Sequence, residues 1–293
     1  MRNARRLQLA VIMGAGTLAL TACGEGDSAE AEDDLGTVTI GYVAWDEVMA
    51  ATYLWEHILE EQGADVELLQ LEPAAVYAAV ADGEADLFMG GLQGTHASYW
   101  DTYGDDFEIV ATWHEPLLHG LAVPQFVEAE SIEDLEGNAD EVGGRIVGIE
   151  AGSGLMDELG EAEEAYDLGD FDIVEGSTAA MLAEFQGSVA DEEPVVVTAW
   201  APHWAVEEYD MKFLDDPEGV FTDDDQYHVI ASDEAQENEP LMTLLEDFAL
   251  DDELFSLLNE IHAADSDEES QAVEQWLETD EHRALVEEWT GTQ

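Results

Sequence analysis

From Thr37 onward, β-rich runs alternate with helical patterns, and a chain patterned this way folds as a layered α/β structure with strands joined by crossover helices. Thr37-Val38-Thr39-Ile40-Gly41-Tyr42-Val43 is the first such strand. Residues 47–62 then place Val48, Ala51, Leu54, Trp55, Ile58 and Leu59 on one helical stripe, which Gly63 stops. A second strand follows at 66–71, Pro73 opens a helix running to Val80, Asp82-Gly83 ends it, and Asp86-Leu87-Phe88-Met89 is a third strand. The rhythm resumes with a strand at 145–149, a helix from Ser153, a strand at 171–174, a helix at 177–190 and the strand Val195-Val196-Val197-Thr198. Two βαβ-type lobes account for this most simply. Lobe 1 takes residues 37–124 and 226–293 and lobe 2 takes 125–225, with crossovers near 123–124 and 225–227 and a cleft for a small ligand between them. From about Asn238 the chain is helical, and its stripes of Leu, Phe and Trp276 are packing faces.

Charge is the second constraint. The chain has 72 acidic residues against 6 Lys and Arg, and three of those six, Arg2, Arg5 and Arg6, precede Cys23 while every acid follows it. Only Arg145, Lys212 and Arg283 remain in the folded part. Such a surface repels phosphate backbones and anionic headgroups, which excludes nucleic acid as a partner. Disorder does not follow, because 46% of the residues are hydrophobic and they recur periodically. Self-repulsion of this size is best tolerated where ions screen it, which points to a halophilic source.

The N-terminus supplies a compartment. Basic residues, an apolar run from Leu7 to Leu20 and small residues before Cys23 describe a secretory signal over residues 1–22, too short and glycine-broken for a permanent span. Leu20-Thr21-Ala22-Cys23 resembles the lipobox of bacterial lipoproteins, in which the cysteine becomes the lipid-modified first residue, and Cys23 is the sole cysteine. Residues 23–36 form an acidic tether. The expectation is an extracytoplasmic, lipid-anchored domain working at the membrane surface. No apolar run after Cys23 approaches the ~18 residues of a spanning helix, so a channel or permease is excluded.

Several of the eight tryptophans stand near strand ends, where function collects in α/β folds. Trp45 follows the first strand, Trp113 follows Ile109-Val110-Ala111-Thr112, and Trp200 and Trp204 frame Trp200-Ala201-Pro202-His203-Trp204. A tryptophan face attracts a cation by roughly 0.5 to 2 kcal/mol, and a box of such faces holds quaternary ammonium groups. Trp55 and Trp276, on helical stripes, are packing residues. Enzyme readings are weak. His114 and His119 are five apart with Pro116 between them, unlike a helical zinc motif, and no metal or cofactor set is visible. Gly152-Ser153-Gly154 lacks nucleophile-elbow spacing, and there is no phosphate loop.

Seven segments then add up to a resemblance: residues 40–47, Thr95-His96 with Tyr99-Trp100, Gly120-Leu121-Ala122-Val123-Pro124, Ser131-Ile132-Glu133-Asp134-Leu135, Gly148 through Met156, Glu175 through Ala183, and Val197 through Trp204. Together they are similar to the glycine betaine and choline-binding proteins of ABC importers, from about Thr37 to the C-terminus. The resemblance implies a two-lobed periplasmic-binding-protein fold, type II-like, that closes on a quaternary ammonium osmolyte and delivers it to a membrane permease, with no cofactor. By motif, Trp45 and Trp200 match cage tryptophans. His96 and the amides of Gly154 and Leu155 match the site for a betaine carboxylate, and amides opening a helix suit an anion. One departure stands out. Five residues before the histidine the family commonly has a third cage tryptophan, and here Gly91 stands. Trp113, His119 or Tyr42 could replace it, or the pocket is rebuilt for choline, carnitine or another amine. Choline binders use an aromatic residue where His119 stands and an acid where Asp46 or Glu47 stands. An extracytoplasmic enzyme on the same fold is the remote alternative.

The charge balance makes a prediction of its own. The domain should melt at a higher temperature in molar salt than in dilute buffer, because screening shortens from roughly 10 Å at 0.1 M to about 3 Å at 1 M. Equal melting temperatures by circular dichroism would remove the halophilic expectation.

Overall fold

The computed structural model describes residues 35–222, 224–250, 253–264 and 269–291, all within one compact unit, Asp33–Gln293. The expected signal, the lipidation site Cys23 and all but the last two residues of the tether lie outside the described residues. In chain order the strands are β1 (Thr37–Tyr42), β2 (Asp65–Gln70), β3 (Leu87–Leu92), β4 (Phe107–Pro124), β5 (Arg145–Val147), β6 (Asp172–Val174), β7 (Val196–Ala201), β8 (Met211–Phe213) and β9 (Asp225–Ser232). The helices are α1 (Asp46–Glu61), α2 (Pro73–Ala81), α3 (Ala97–Tyr103), α4 (Gly154–Ala165), α5 (Thr178–Asp191), α6 (Trp204–Glu208), α7 (Glu239–Leu245), α8 (Leu254–Ala263), α9 (Glu269–Trp276) and α10 (Asp280–Thr290).

The hydrophobic stripe read from the sequence is the buried face of α1. Val48, Ala51, Leu54, Trp55, Ile58 and Leu59 are all at most 1% exposed. Asp46 and Glu47 occupy its first turn, where the helix dipole favours negative charge, and Gly63 ends it at φ +92°. With α1 and α2 as crossovers, β1 pairs in parallel with both β2 and β3. The same arrangement recurs around β5, which pairs in parallel with β6 and β7.

Two long antiparallel strands join the halves. β4 pairs with β9 over its first part and with β7 and β8 over its second, giving the order β2-β1-β3-β9-β4-β7-β5-β6. The buried apolar residues fall into two clusters. One holds β1–β3, β9 and the C-terminal helices, and the other holds β5–β7 with α4 and α5. The change of cluster lies between Leu117 and Leu121 on β4 and between Phe221 and Tyr227 on the return. This is a two-lobed α/β fold.

Two tryptophans sit differently from the sequence reading. Trp113 lies in the middle of β4, which continues through Pro124 because β9 and then β7 pair with it, so no loop begins at Thr112. Trp200 lies inside β7, one residue from its end.

The turn between β3 and α3 is pinned by one carboxylate. Asp225, at the start of β9, accepts the backbone N–H groups of Gly94 at 3.1 Å, Thr95 at 2.7 Å and Gln226 at 3.0 Å. Burial pushes its carboxyl up, but these amides outweigh burial and hold it below the usual carboxylate range. Its stabilisation is therefore present at neutral pH and lost as pH falls through the folded-state value. Asp225→Ala should cost about 2 kcal/mol of unfolding free energy at pH 7, measured by urea denaturation, with the difference from wild type shrinking in acid.

Candidate functional site

A cavity of about 20 Å³, room for little more than a water molecule, lies between the lobes. Trp45, Glu47, Leu92, Thr95, His96 and Tyr227 line it from one side, and Ile149, Ser153, Leu155 and Trp200 from the other, with His119 of β4 between them. Trp45 is the N-cap residue of α1, buried, and its indole stacks on the His96 ring with centroids 5.5 Å apart. Its indole N–H points across the cleft to Glu150 Oε2 at 3.4 Å, and Thr178 holds Glu150 through both its amide at 2.8 Å and its hydroxyl at 3.0 Å. Trp200 enters from β7 with its ring edge-on to His203 at 4.9 Å.

Further contacts tie the lobes around this cavity. Tyr99 donates its hydroxyl to the Gly152 carbonyl at 2.5 Å. The Trp204 indole donates to the Asp46 carboxylate, and His203 Nε2 lies 3.3 Å from the same Asp46 Oδ2. Burial pushes Asp46 up, yet His203 and Trp204 together hold it below its ordinary value. On the outer side of Trp204, the His262 ring of α8 stacks with centroids 3.4 Å apart and pairs with Glu208 at 3.2 Å.

Two titratable groups of the lining, Glu47 and His96, have different surroundings. Glu47 is 1% exposed; its Oε1 accepts the Tyr227 hydroxyl at 2.5 Å, whereas its Oε2 is buried without a hydrogen bond. Trp200 Nε1 is likewise buried without completing a bond, though the indole lies near enough to favour the charged carboxylate. Burial dominates and pushes Glu47 above the usual carboxylate range, against the opposing pull of His203 and Tyr227. Among the lining residues Glu47 is the sole carboxylate and there is no Lys or Arg.

His96 is the second of these groups. Tyr77 accepts the Leu92 N–H on its hydroxyl oxygen at 3.1 Å and stands 2.9 Å from His96 Nδ1. A hydroxyl already accepting from an amide donates to the ring nitrogen, which leaves the imidazole proton on Nε2. Burial, reinforced by the nearby His119, pushes His96 down to about 3. The ring is neutral, so the charge-assisted bond expected of a protonated histidine gives way to a neutral N–H donor. The N-terminus of α4 faces it. A Cβ on Gly154 would stand 1.9 Å from the Thr95 carbonyl oxygen, so only glycine lets the first turn of α4 come this close to the Thr95-His96 turn. Ser153 Oγ, buried in the lining, has no partner, and the opening amides of α4 have none within the helix.

The expected site residues separate accordingly. Trp45, Glu47, His96, His119, Leu155 and Trp200 reach the cavity. Gly154 shapes the approach without lining it. Trp113 is a correction: it is fully buried behind the site, with its indole N–H on the Met89 carbonyl at 2.7 Å and its ring between Tyr227 and Phe248. Tyr42 packs on Tyr53 away from the lining. Leu92, Thr95, Ile149, Ser153 and Tyr227 reach the cavity without having been singled out as ligand residues from sequence. Tyr227 carries no local signal, since it shares a face with Leu92 only through the β3–β9 register.

The substrate-binding domain of ABC-type glycine betaine transport systems matches residues 36–279. The chain belongs to this family. The glycine betaine/carnitine transport binding protein GbuC of Listeria monocytogenes is 32% identical over 149 residues, which is 50% of this chain and 48%, about half, of that relative. Lactococcal OpuAC, in its closed-liganded conformation complexed with glycine betaine, superposes with a TM-score of 0.81 at 26% identity, covering 87% of this chain and 99% of that one. The glycine/betaine/L-proline-binding protein ProX of Borrelia burgdorferi superposes with a TM-score of 0.82, also at 26% identity, over 86% of this chain and 96% of that one. The family and these neighbours are binding components of transport systems and not enzymes.

The buried, Tyr77-bonded imidazole has a direct consequence. In a pH titration followed by NMR of the eight histidines, one ring, removed by His96→Gln, should keep neutral Nε2–H tautomer shifts well below pH 5, given its value of about 3. A midpoint near the ordinary 6.5 for that ring would contradict the assignment.

Proposed function

We propose that this protein is the extracytoplasmic receptor of an ABC importer and captures glycine betaine or a related quaternary ammonium osmolyte. The observation that carries this is the cavity lining: Trp45 and Trp200 beside a buried Glu47 carboxylate with a free oxygen, and no Lys or Arg. Indole faces and an unpartnered carboxylate attract a cation that needs no hydrogen bond of its own, which describes a quaternary ammonium head. At the opposite end, the His96 Nε2–H, the opening amides of α4 near Leu155 and the Ser153 hydroxyl are donors for a ligand carboxylate. Lobes 37–124 with 226–293 and 125–225 close over the ligand, and the cross-cleft bonds from Tyr99, Trp45 and Trp204 fit the closed form.

The ABC permease partner follows from the family, and GbuC is itself a transport binding protein. Among the described residues no helix is long and apolar enough to cross a membrane. Leu20-Thr21-Ala22-Cys23 supports anchoring through a lipidated Cys23, and the acidic sequence supports osmolyte uptake in a salty habitat. A second reading, choline or another amine without a carboxylate, rests on Glu47, because a net cation cancels the one fixed charge in the lining.

Calorimetric titration of residues 24–293 in molar salt with glycine betaine, proline betaine, carnitine and choline separates these readings. Binding of the carboxylated ligands supports His96 and α4 as the anion end; binding of choline alone supports the second reading; binding of none overturns both. Trp200→Ala should weaken the bound ligand ten- to a hundred-fold, since a desolvated cation–π contact is worth about 2 kcal/mol. Unchanged affinity would take Trp200 out of the site.

A further inference from the structure

We propose that Tyr227 is a wall of the cation cage and the residue that positions Glu47, and that it, instead of any side chain at position 91, completes the enclosure begun by Trp45 and Trp200. The inference rests on the quaternary ammonium reading and names a residue that reading did not need.

Strand register excludes position 91 first. Gly91 pairs with His228 across the β3–β9 ladder and Leu92 pairs with Tyr227. Directly opposed residues of an antiparallel pair share a face, and successive residues alternate. Leu92 and Tyr227 therefore face the cavity, which both line, and Gly91 faces away with His228. A Cβ at Gly91 would lie 2.9 Å from Ile230 Cγ2 and 3.1 Å from the His228 carbonyl oxygen, so a tryptophan there has no room and no view of the ligand. The β3 strand reaches the cavity through Leu92, an aliphatic residue, and the aromatic surface on this side comes from its cross-strand partner.

Tyr227 is held by two restraints. One ring face stacks on Trp113 with centroids 4.9 Å apart and planes 18° from parallel. Trp113 is itself backed by Phe248 at 5.6 Å and tied to the Met89 carbonyl. The hydroxyl donates to Glu47 Oε1 at 2.5 Å. With one face covered and the tip fixed, the ring lines the cavity beside the free Glu47 Oε2. The hydroxyl thus does two things: it fixes the ring and it selects the Glu47 rotamer that leaves one oxygen for the ligand. The groups facing Glu47 are Tyr227 from β9, Trp200 from β7 and His203 from the turn before α6, and the first two and His203 all favour its charged form or lie beside it. A bound cation does the same, so the hydroxyl and the ligand act in one direction on that carboxylate.

Tetramethylammonium isolates this end of the site, because it carries the head group and nothing for His96 or α4 to hold. Its affinity for residues 24–293 should fall roughly ten-fold in Tyr227→Leu, the size of one lost aromatic wall. In Tyr227→Phe the ring and its stack on Trp113 remain, so affinity at pH 8 should stay within about three-fold of wild type. Losing the hydroxyl donor should move the acid limb of the affinity-against-pH curve to higher pH, and Glu47→Gln should flatten that limb. Wild-type affinity in Tyr227→Leu, or a Tyr227→Phe protein as weak as Tyr227→Leu, overturns the wall. An unshifted acid limb in Tyr227→Phe overturns the positioning role, and it remains readable if the leucine variant does not fold. Failure of the wild-type protein to bind any quaternary ammonium compound sinks the functional reading itself, a result distinct from wild-type binding that Tyr227 does not affect.

Discussion

The Glu47 carboxylate is the constraint around which the rest of the site is arranged. It sits in the first turn of α1, where the helix dipole offsets part of the cost of burying it, yet at 1% exposure and with one oxygen unbonded that offset is incomplete. An unpaired buried charge is tolerable only if neighbouring groups favour it or if the group takes up a proton, and burial pushes Glu47 above the usual carboxylate range. The neighbours come from across the chain. Tyr227 lies 180 residues away on β9, and Trp200 and His203 belong to the other lobe. A single side chain at the start of the first helix therefore draws its environment from both apolar clusters.

Behind that side chain stands a layered aromatic cluster. Tyr227, Trp113 and Phe248 form a continuous stack, and Phe248 meets Trp55 of α1 and Trp289 of α10 edge-on, with centroids 5.2 and 5.1 Å apart. Trp289 of α10 thus buttresses the stack through an aromatic contact whose geometry is specific. The stack also explains why Trp113 is needed without being a ligand residue: it is the layer between the core and the ring that faces the cavity.

Local pattern carried most of the fold. The stripe of α1, Pro73 opening α2 and the Gly63 and Gly83 stops are decided by near neighbours, and the structure has them within a residue of the sequence reading. Trp45, His96 and Trp200 were visible because motifs surround them. Trp113 was misplaced because a strand paired on successive parts by β9 and then β7 outlasts its own β-rich run, and nothing local in Ile109-Val110-Ala111-Thr112 announces that continuation. Tyr227 was missed for a related reason. Its role depends on register between two strands separated by well over a hundred residues, and a shift of one would have turned it to the opposite face. The neutrality of His96 depends on burial and on a Tyr77 hydroxyl that no spacing rule connects to it.

The shortage of cations gives the site its logic. The three basic residues of the folded part are spent near the surface, in pairs of Arg145 with Glu184, Lys212 with Glu130 and Arg283 with Asp280, which contribute little each. Carboxylates that turn inward find other donors. Asp225 takes backbone amides, Glu150 takes Thr178, Glu158 takes the Thr222 hydroxyl at 2.6 Å, and Asp46 takes the Trp204 indole. Hydroxyls, amides and indoles satisfy a carboxylate through hydrogen bonds without cancelling its charge. At two buried carboxylates this supply runs short: Glu158 Oε2 has no donor, and at Glu47 Tyr227 reaches one oxygen while the second has none. In a chain so depleted of positive charge, the quaternary ammonium head proposed above is the natural complement to the Glu47 carboxylate between its aromatic faces.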